Sequence, residues 1–97
     1  MKFLAMEIEV PAVPEEAFGP HLKAEAIRAL ELYQEGTIRE LYFRGDREEA
    51  VLVLECADER EAREALDSLP LVRAGLIAFD LIPLVPYPGF SRLSGGD

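Results

Sequence analysis

Among its 97 residues the chain has no asparagine and no tryptophan, and a single cysteine, histidine, glutamine and threonine. Each scarcity excludes something. One thiol, Cys56, rules out an internal disulfide and any metal site drawing two cysteines from one chain. It closes an apolar strand pattern, the setting of a packed thiol rather than a nucleophile. Basic residues are also short. Ten Lys and Arg against nineteen Asp and Glu leave a formal net charge of -9. That is the wrong sign for nucleic acid, whose phosphates need clustered Lys and Arg, and for an anionic membrane surface. The acidity instead supplies a solvated outer surface. No apolar run is long enough to span a bilayer, and the one near the C-terminus is interrupted by Asp80. Glu7 and Glu9 break the N-terminal apolar run too early for a signal peptide, so a cytoplasmic protein is expected. Glu15-Glu16 and Glu48-Glu49 have no His or Asp beside them at metal-ligand spacing, so a metal site is not expected. Missing amides beside abundant Glu and Arg give a thermophile-like composition.

What is present is a sequence of switching periodicities. Residues 2–10 alternate, with Leu4, Met6, Ile8 and Val10 on the expected core face and Phe3, Ala5, Glu7 and Glu9 on the other. A helical pattern over 15–35 buries Phe18, Leu22, Ala26, Ala29, Leu30 and Tyr33, with Gly19-Pro20 delaying its regular part and Gly36 as its C-cap. Strands are expected near 37–44 and 48–56, joined by a tight turn at Gly45-Asp46. A second helix near 58–69 starts on an Asp58–Glu61 capping box, buries Ala62, Ala65, Leu66 and Leu69, and stops at Pro70. A nearly continuous apolar strand covers 75–84. The order β-α-β-β-α-β in one short domain, residues 1–90, predicts an α+β, ferredoxin-like fold. A Pro-rich arm leaves it from about residue 85, and 91–97 form a flexible tail, with Ser94-Gly95-Gly96-Asp97 expected to be disordered.

Such a sheet has helices on one face only, and its other face must be hidden. Phe3, Ala5, Leu41, Phe43, Val51, Val53, Ile77, Phe79 and Leu81 are the expected lining of that second face. So large an apolar surface is a liability in a monomer. Pairing of two copies through the open sheet, with the arm clasping a neighbour, buries it, which predicts a homodimer or higher homo-oligomer.

From the end of the first helix a more specific pattern emerges. Gln34-Glu35-Gly36-Thr37-Ile38-Arg39, then the hairpin, the second helix and Ser68-Leu69-Pro70-Leu71, resemble muconolactone isomerase and its relatives. The resemblance implies the dimeric α+β barrel, two ferredoxin-like units paired sheet to sheet. It also implies cofactor-free chemistry in which a proton is moved to shift a double bond of an unsaturated lactone. Where that family carries a His flanked by Trp on the strand after Gly-Thr, this chain has Glu40 between Ile38 and Tyr42. The His and Tyr after the family's hairpin turn are replaced by Arg47 and Glu48.

The candidate site rests on these substitutions. Glu40 is either a desolvated carboxylate acting as general base, if its strand face looks toward the helices, or an edge charge facing water. Tyr42 on the same face is a proton donor or a packing residue. His21 lies one turn before Glu25, and the pair is either a proton relay or a surface ion pair. Arg39, with Arg44, either grips a substrate carboxylate or joins internal salt bridges. Two functional classes stay open: a cofactor-independent isomerase acting on a small lactone or enol-type substrate, or a catalytically silent oligomeric binding or assembly module.

Overall fold

The computed structural model describes residues 1–95 and arranges the elements in the expected order. Strand β1 (Lys2–Glu9) is followed by two 3-10 turns, Glu15–Ala17 and Gly19–His21, and by helix α1 (Leu22–Gln34). Strands β2 (Ile38–Phe43) and β3 (Ala50–Glu55) form a hairpin, then come helices α2 (Glu59–Asp67) and α3 (Pro70–Arg73) and strand β4 (Ile77–Leu84). The sheet order is β2-β3-β1-β4 with every neighbouring pair antiparallel, the ferredoxin-like α+β topology.

Local chemistry explains the boundaries. Pro20 and Gly19 hold the approach to α1 in 3-10 turns, so the regular helix starts only at Leu22. Gly36 ends it at φ +88°, a conformation open to glycine at little cost. Asp58 caps α2 by accepting the Glu61 N–H at 2.8 Å, while the Glu61 carboxylate reaches back to the Ala57 N–H at 3.3 Å. Pro70 does more than stop a helix. It sits at the first position of α3, where a missing N–H costs nothing.

Several expectations about side-chain placement are corrected. The helix-covered face of β1 carries Phe3 and Ala5, both fully buried, rather than Leu4, Met6, Ile8 and Val10. Register decides this: Phe3 lies opposite Leu54, and Ala5 lies between Leu52 and Leu81. Ile77, Phe79 and Leu81, expected on the open face, are buried on the helix side with them. Leu41 and Phe43 pair with Leu52 and Ala50 and so belong to that side too. The open face carries Leu4, Met6, Val51, Val53 and Ile82, all half-buried, with Ile8 and Leu84 exposed.

The hairpin is wider than expected, because Phe43 pairs with Ala50 and Arg44 N–H bonds to the Glu49 carbonyl. Gly45 does not adopt positive φ, and the loop is instead pinned by the Arg44 guanidinium on both Asp46 carboxylate oxygens, at 2.9 and 2.7 Å. A β-bulge also separates Ile38 from Glu40, with Arg39 the extra residue. Ile38 is therefore buried against the helices while Glu40 and Tyr42 turn to the opposite face.

Beyond β4 the chain runs out as an arm and ends in a 3-10 helix over Pro88–Ser94. Tyr87 and Phe90 stack edge to face at 5.0 Å, and the Tyr87 ring lies over Gly89. Val85, Tyr87, Phe90 and Leu93 are all exposed. The arm contributes to a long molecule of 58 × 28 × 22 Å. Of the tail expected to be disordered, Gly96 and Asp97 lie outside the described residues.

Candidate functional site

The exposed apolar residues of α1 point to the site. Its buried row is Leu32, with Glu25, Arg28 and Ala29 half-buried, about one position away from the stripe read from the sequence. Leu22, Leu30 and Tyr33 remain more than half exposed. Leu22 does not meet a filled core. It borders a cavity of ≈ 450 Å³ between α1 and the sheet, lined by Leu22, Ala26 and Ala29, by Leu41 and Phe43, and by Leu52, Leu69, Leu71, Ile77 and Phe79. Short side chains on both walls, Ala26 and Ala29 facing Ala50, leave the space open. Phe43 faces the helices yet is 70% exposed, because nothing packs over it at the cavity mouth.

Two carboxylates enter this apolar space, one from each wall. Glu7 follows Phe3 and Ala5 on the helix-facing side of β1. The β1–β3 pairing ends at Met6 and Val51, and just beyond it the Glu7 carboxylate accepts the Ala50 N–H at 2.9 Å. Glu25 of α1 accepts the Leu71 N–H at 2.8 Å. That amide is available because it lies in the first turn of α3, where no carbonyl of its own helix can reach it. Leu69-Pro70-Leu71 thus delivers a free donor to Glu25 and ties α3 to α1.

Both carboxyls are held above the ordinary carboxylate range. For Glu7 burial is the main cause, opposed by the Ala50 hydrogen bond and reinforced by the charges of Glu49 and Glu25. For Glu25 burial again leads, opposed by the Leu71 hydrogen bond and by His21. Desolvated carboxyls with raised affinity for protons are suited to general acid–base chemistry near neutral pH.

The residues singled out from the sequence divide between two places. Glu25 lines the cavity, and His21 is near enough to act on its charge. Glu40, Tyr42 and Arg39 come together at a more open groove on the outer edge of β2, with Leu30 and Tyr33, and Tyr42 also borders the cavity. The bulge puts Glu40 on the face opposite Ile38, away from the helices. Glu40 is exposed, accepting the Tyr42 hydroxyl at 2.9 Å. That bond, with the Glu40 charge, pushes the Tyr42 phenol up and makes it a poorer acid. Arg39 is exposed and donates to the Gly36 carbonyl at 2.8 Å. Cys56 is buried, with burial raising its thiol. Among the described residues, no group of three His, Cys, Asp or Glu could hold a metal ion, and no helix is long and apolar enough to cross a membrane. Glu7 was not foreseen as a site residue. The available signal was a glutamate in step with Phe3 and Ala5, two positions that belong in a core.

Comparison with known proteins decides the lineage. A family model described as Muconolactone delta-isomerase matches residues 1–89. The chain belongs to this family. A solved muconolactone isomerase is similar over 91% of this chain and 92% of its own, with TM-score 0.72 and 22% identity. A 5-chloro-2-hydroxyhydroquinone dehydrochlorinase from Burkholderia phenoliruptrix AC1100, solved with 2,5-dihydroxybenzoquinone, has TM-score 0.71 and 16% identity, covering 92% of this chain and 98% of its own. No curated protein matches the chain. At these identities the two structures establish a common fold, and the family resemblance read from Gly36-Thr37 and Leu69-Pro70-Leu71 holds.

Proposed function

We propose that this member of the muconolactone isomerase family is a cofactor-independent enzyme that moves a proton on a small unsaturated lactone or enol-type substrate. The observation carrying the proposal is the pair of desolvated carboxyls, Glu7 and Glu25, inside one apolar cavity. Their surroundings assign the roles. His21 favours the charge on Glu25, which acts as base, whereas Glu49 and Glu25 disfavour charge on Glu7, which carries the proton. Glu25 removes a proton from the carbon next to the lactone carbonyl, and the electron pair delocalises as a dienolate. Glu7 then protonates the far carbon, shifting the double bond with no net change in the substrate's composition. The two carboxyls end in exchanged protonation states and reset through the open mouth. Binding in a half-dry apolar site strengthens both proton transfers by excluding competing water.

In this reading the working form is a homodimer or larger homo-oligomer in the cytoplasm. Two sheets pair through Leu4, Met6, Val51, Val53 and Ile82, and the arm reaches a neighbour. A panel of unsaturated lactones and enols, run on wild type and on Glu7→Gln, Glu25→Gln and Glu40→Gln, tests the chemistry. Turnover should fall by roughly 10²–10⁴-fold for the first two, the usual worth of a general acid or base, and persist for Glu40→Gln. Absence of turnover on every compound would leave the catalytically silent module instead. Turnover lost only with Glu40→Gln would move the site to the outer groove.

A further inference from the structure

The chemical balance of the cavity limits what can enter it. Its polar side chains are Glu7, Glu25 and Tyr42, whose hydroxyl donates to Glu40, and no Lys, Arg or His lines it among the described residues. The adjoining vestibule, ≈ 490 Å³, shares Glu7 and Phe43 with the cavity and adds Glu15, Glu16 and Glu48, again without a cation. Arg44 and Arg47 border neighbouring clefts that also touch Glu7, and neither lines the cavity or the vestibule. Arg44 grips Asp46, Arg47 lies 3.7 Å from Glu49, Arg63 donates to the Phe79 carbonyl, and Arg39 is on the far side of the bulge. Each cavity carboxylate uses its Oε1 on a backbone amide, and no protein donor among the described residues takes either Oε2.

We propose that the cavity accepts uncharged ring compounds carrying O–H or N–H donors, and that it rejects ligands bearing an ionised carboxylate. This rests on the reading of the cavity as the ligand site and narrows its substrate class. A donor-bearing ring places its body against Phe43, Leu52 and Phe79 and a donor on the free oxygen of the Glu25 carboxylate. A carboxylate would meet the charge of Glu25 in a half-dry space whose lining, among the described residues, holds no cation to pair it. Repulsion between unit charges roughly 6 Å apart, at an effective dielectric of about 20, weakens binding on the order of a hundredfold. The acidic vestibule adds a long-range repulsion that slows the arrival of anions and fades with salt.

The test uses two pairs of compounds matched in shape: 4-hydroxybenzamide with 4-hydroxybenzoate, and a carboxamide-bearing unsaturated γ-lactone with its carboxylate. Methyl resonances of Leu52, Leu71 and Ile77 report entry into the cavity at pH 7.5, on wild type and on Glu25→Gln. The amides should shift these methyls with affinities at least tenfold above the carboxylates, and Glu25→Gln should narrow that gap. A carboxylate that moves the same methyls as tightly as its amide overturns the inference and leaves the cavity as a ligand site. If no compound of either pair moves them at millimolar concentration, the reading of the cavity falls and the inference with it.

Discussion

Glu25→Ala separates structural work from chemistry at the same side chain. In the wild type the carboxylate holds the Leu71 N–H at 2.8 Å in a half-buried junction between α1 and α3. Truncation leaves that amide without a protein acceptor, which costs about 1–3 kcal/mol when the donor is shielded from water. Removing a desolvated charge gives some of this back, because burial already opposes ionisation of Glu25. The net loss is roughly 1–2 kcal/mol, or a Tm lower by about 5–15 °C for a domain of this size. Glu25→Gln keeps an oxygen at the same position and carries no charge, so its stability should match or exceed wild type at pH 7. Urea melts of the three proteins at one protein concentration, which fixes any contribution from association, make the comparison. The reasoning is refuted if the alanine and glutamine variants are equally stable, since the Leu71 bond would then contribute nothing.

Four further outcomes are expected. Stability should fall as pH rises from about the ordinary glutamate value of 4.5 through the raised folded-state values of Glu7 and Glu25, because over that window the folded chain keeps protons the unfolded chain has released. The slope should flatten in Glu7→Gln, and pH-dependent melts that stay parallel in the variant would contradict the assignment. Val53→Asp, at the centre of the open sheet face, should shift light scattering toward the monomer mass, and an unchanged mass would exclude sheet-to-sheet pairing. Gly89→Ala drives a Cβ into the Tyr87 ring, so the ring must swing away; tyrosine fluorescence should change while core stability moves by less than about 0.5 kcal/mol. Phe3→Ala, by contrast, empties a fully buried aromatic site and should cost about 3–5 kcal/mol, measurable as a large drop in urea midpoint.

The element order was legible because periodicity and punctuation agree at each step. Gly36 closes α1, Asp58 opens α2, and Pro70 separates α2 from α3. The faces of the sheet were less legible. On β1 the choice lay between a row holding Leu4, Met6 and Ile8 and a row holding Phe3, Ala5 and Glu7. Counting apolar atoms favours the first, and register against β3 and β4 selects the second. No property of β1 alone encodes that register. It is set by strands nearly fifty and eighty residues away. The bulge at Arg39 was equally hidden, since one inserted residue reverses every side chain after it and leaves no mark on composition.

The misjudged face and the missed site residue have one cause. Glu7 made its row of β1 look like a solvent face, and register places it on the core face, where its carboxylate accepts the Ala50 N–H. A charged residue in a core pattern breaks local consistency, and such breaks concentrate where function competes with stability. The same competition appears across the cavity. Ala26 and Ala29 leave space that larger side chains would fill, and Glu25 spends a half-buried charge on one backbone amide. A domain selected for stability alone would close this gap with leucine. The gap persists with two carboxyls facing it, which is why the cavity, rather than the exposed Glu40–Tyr42 pair at the bulge, carries the functional reading.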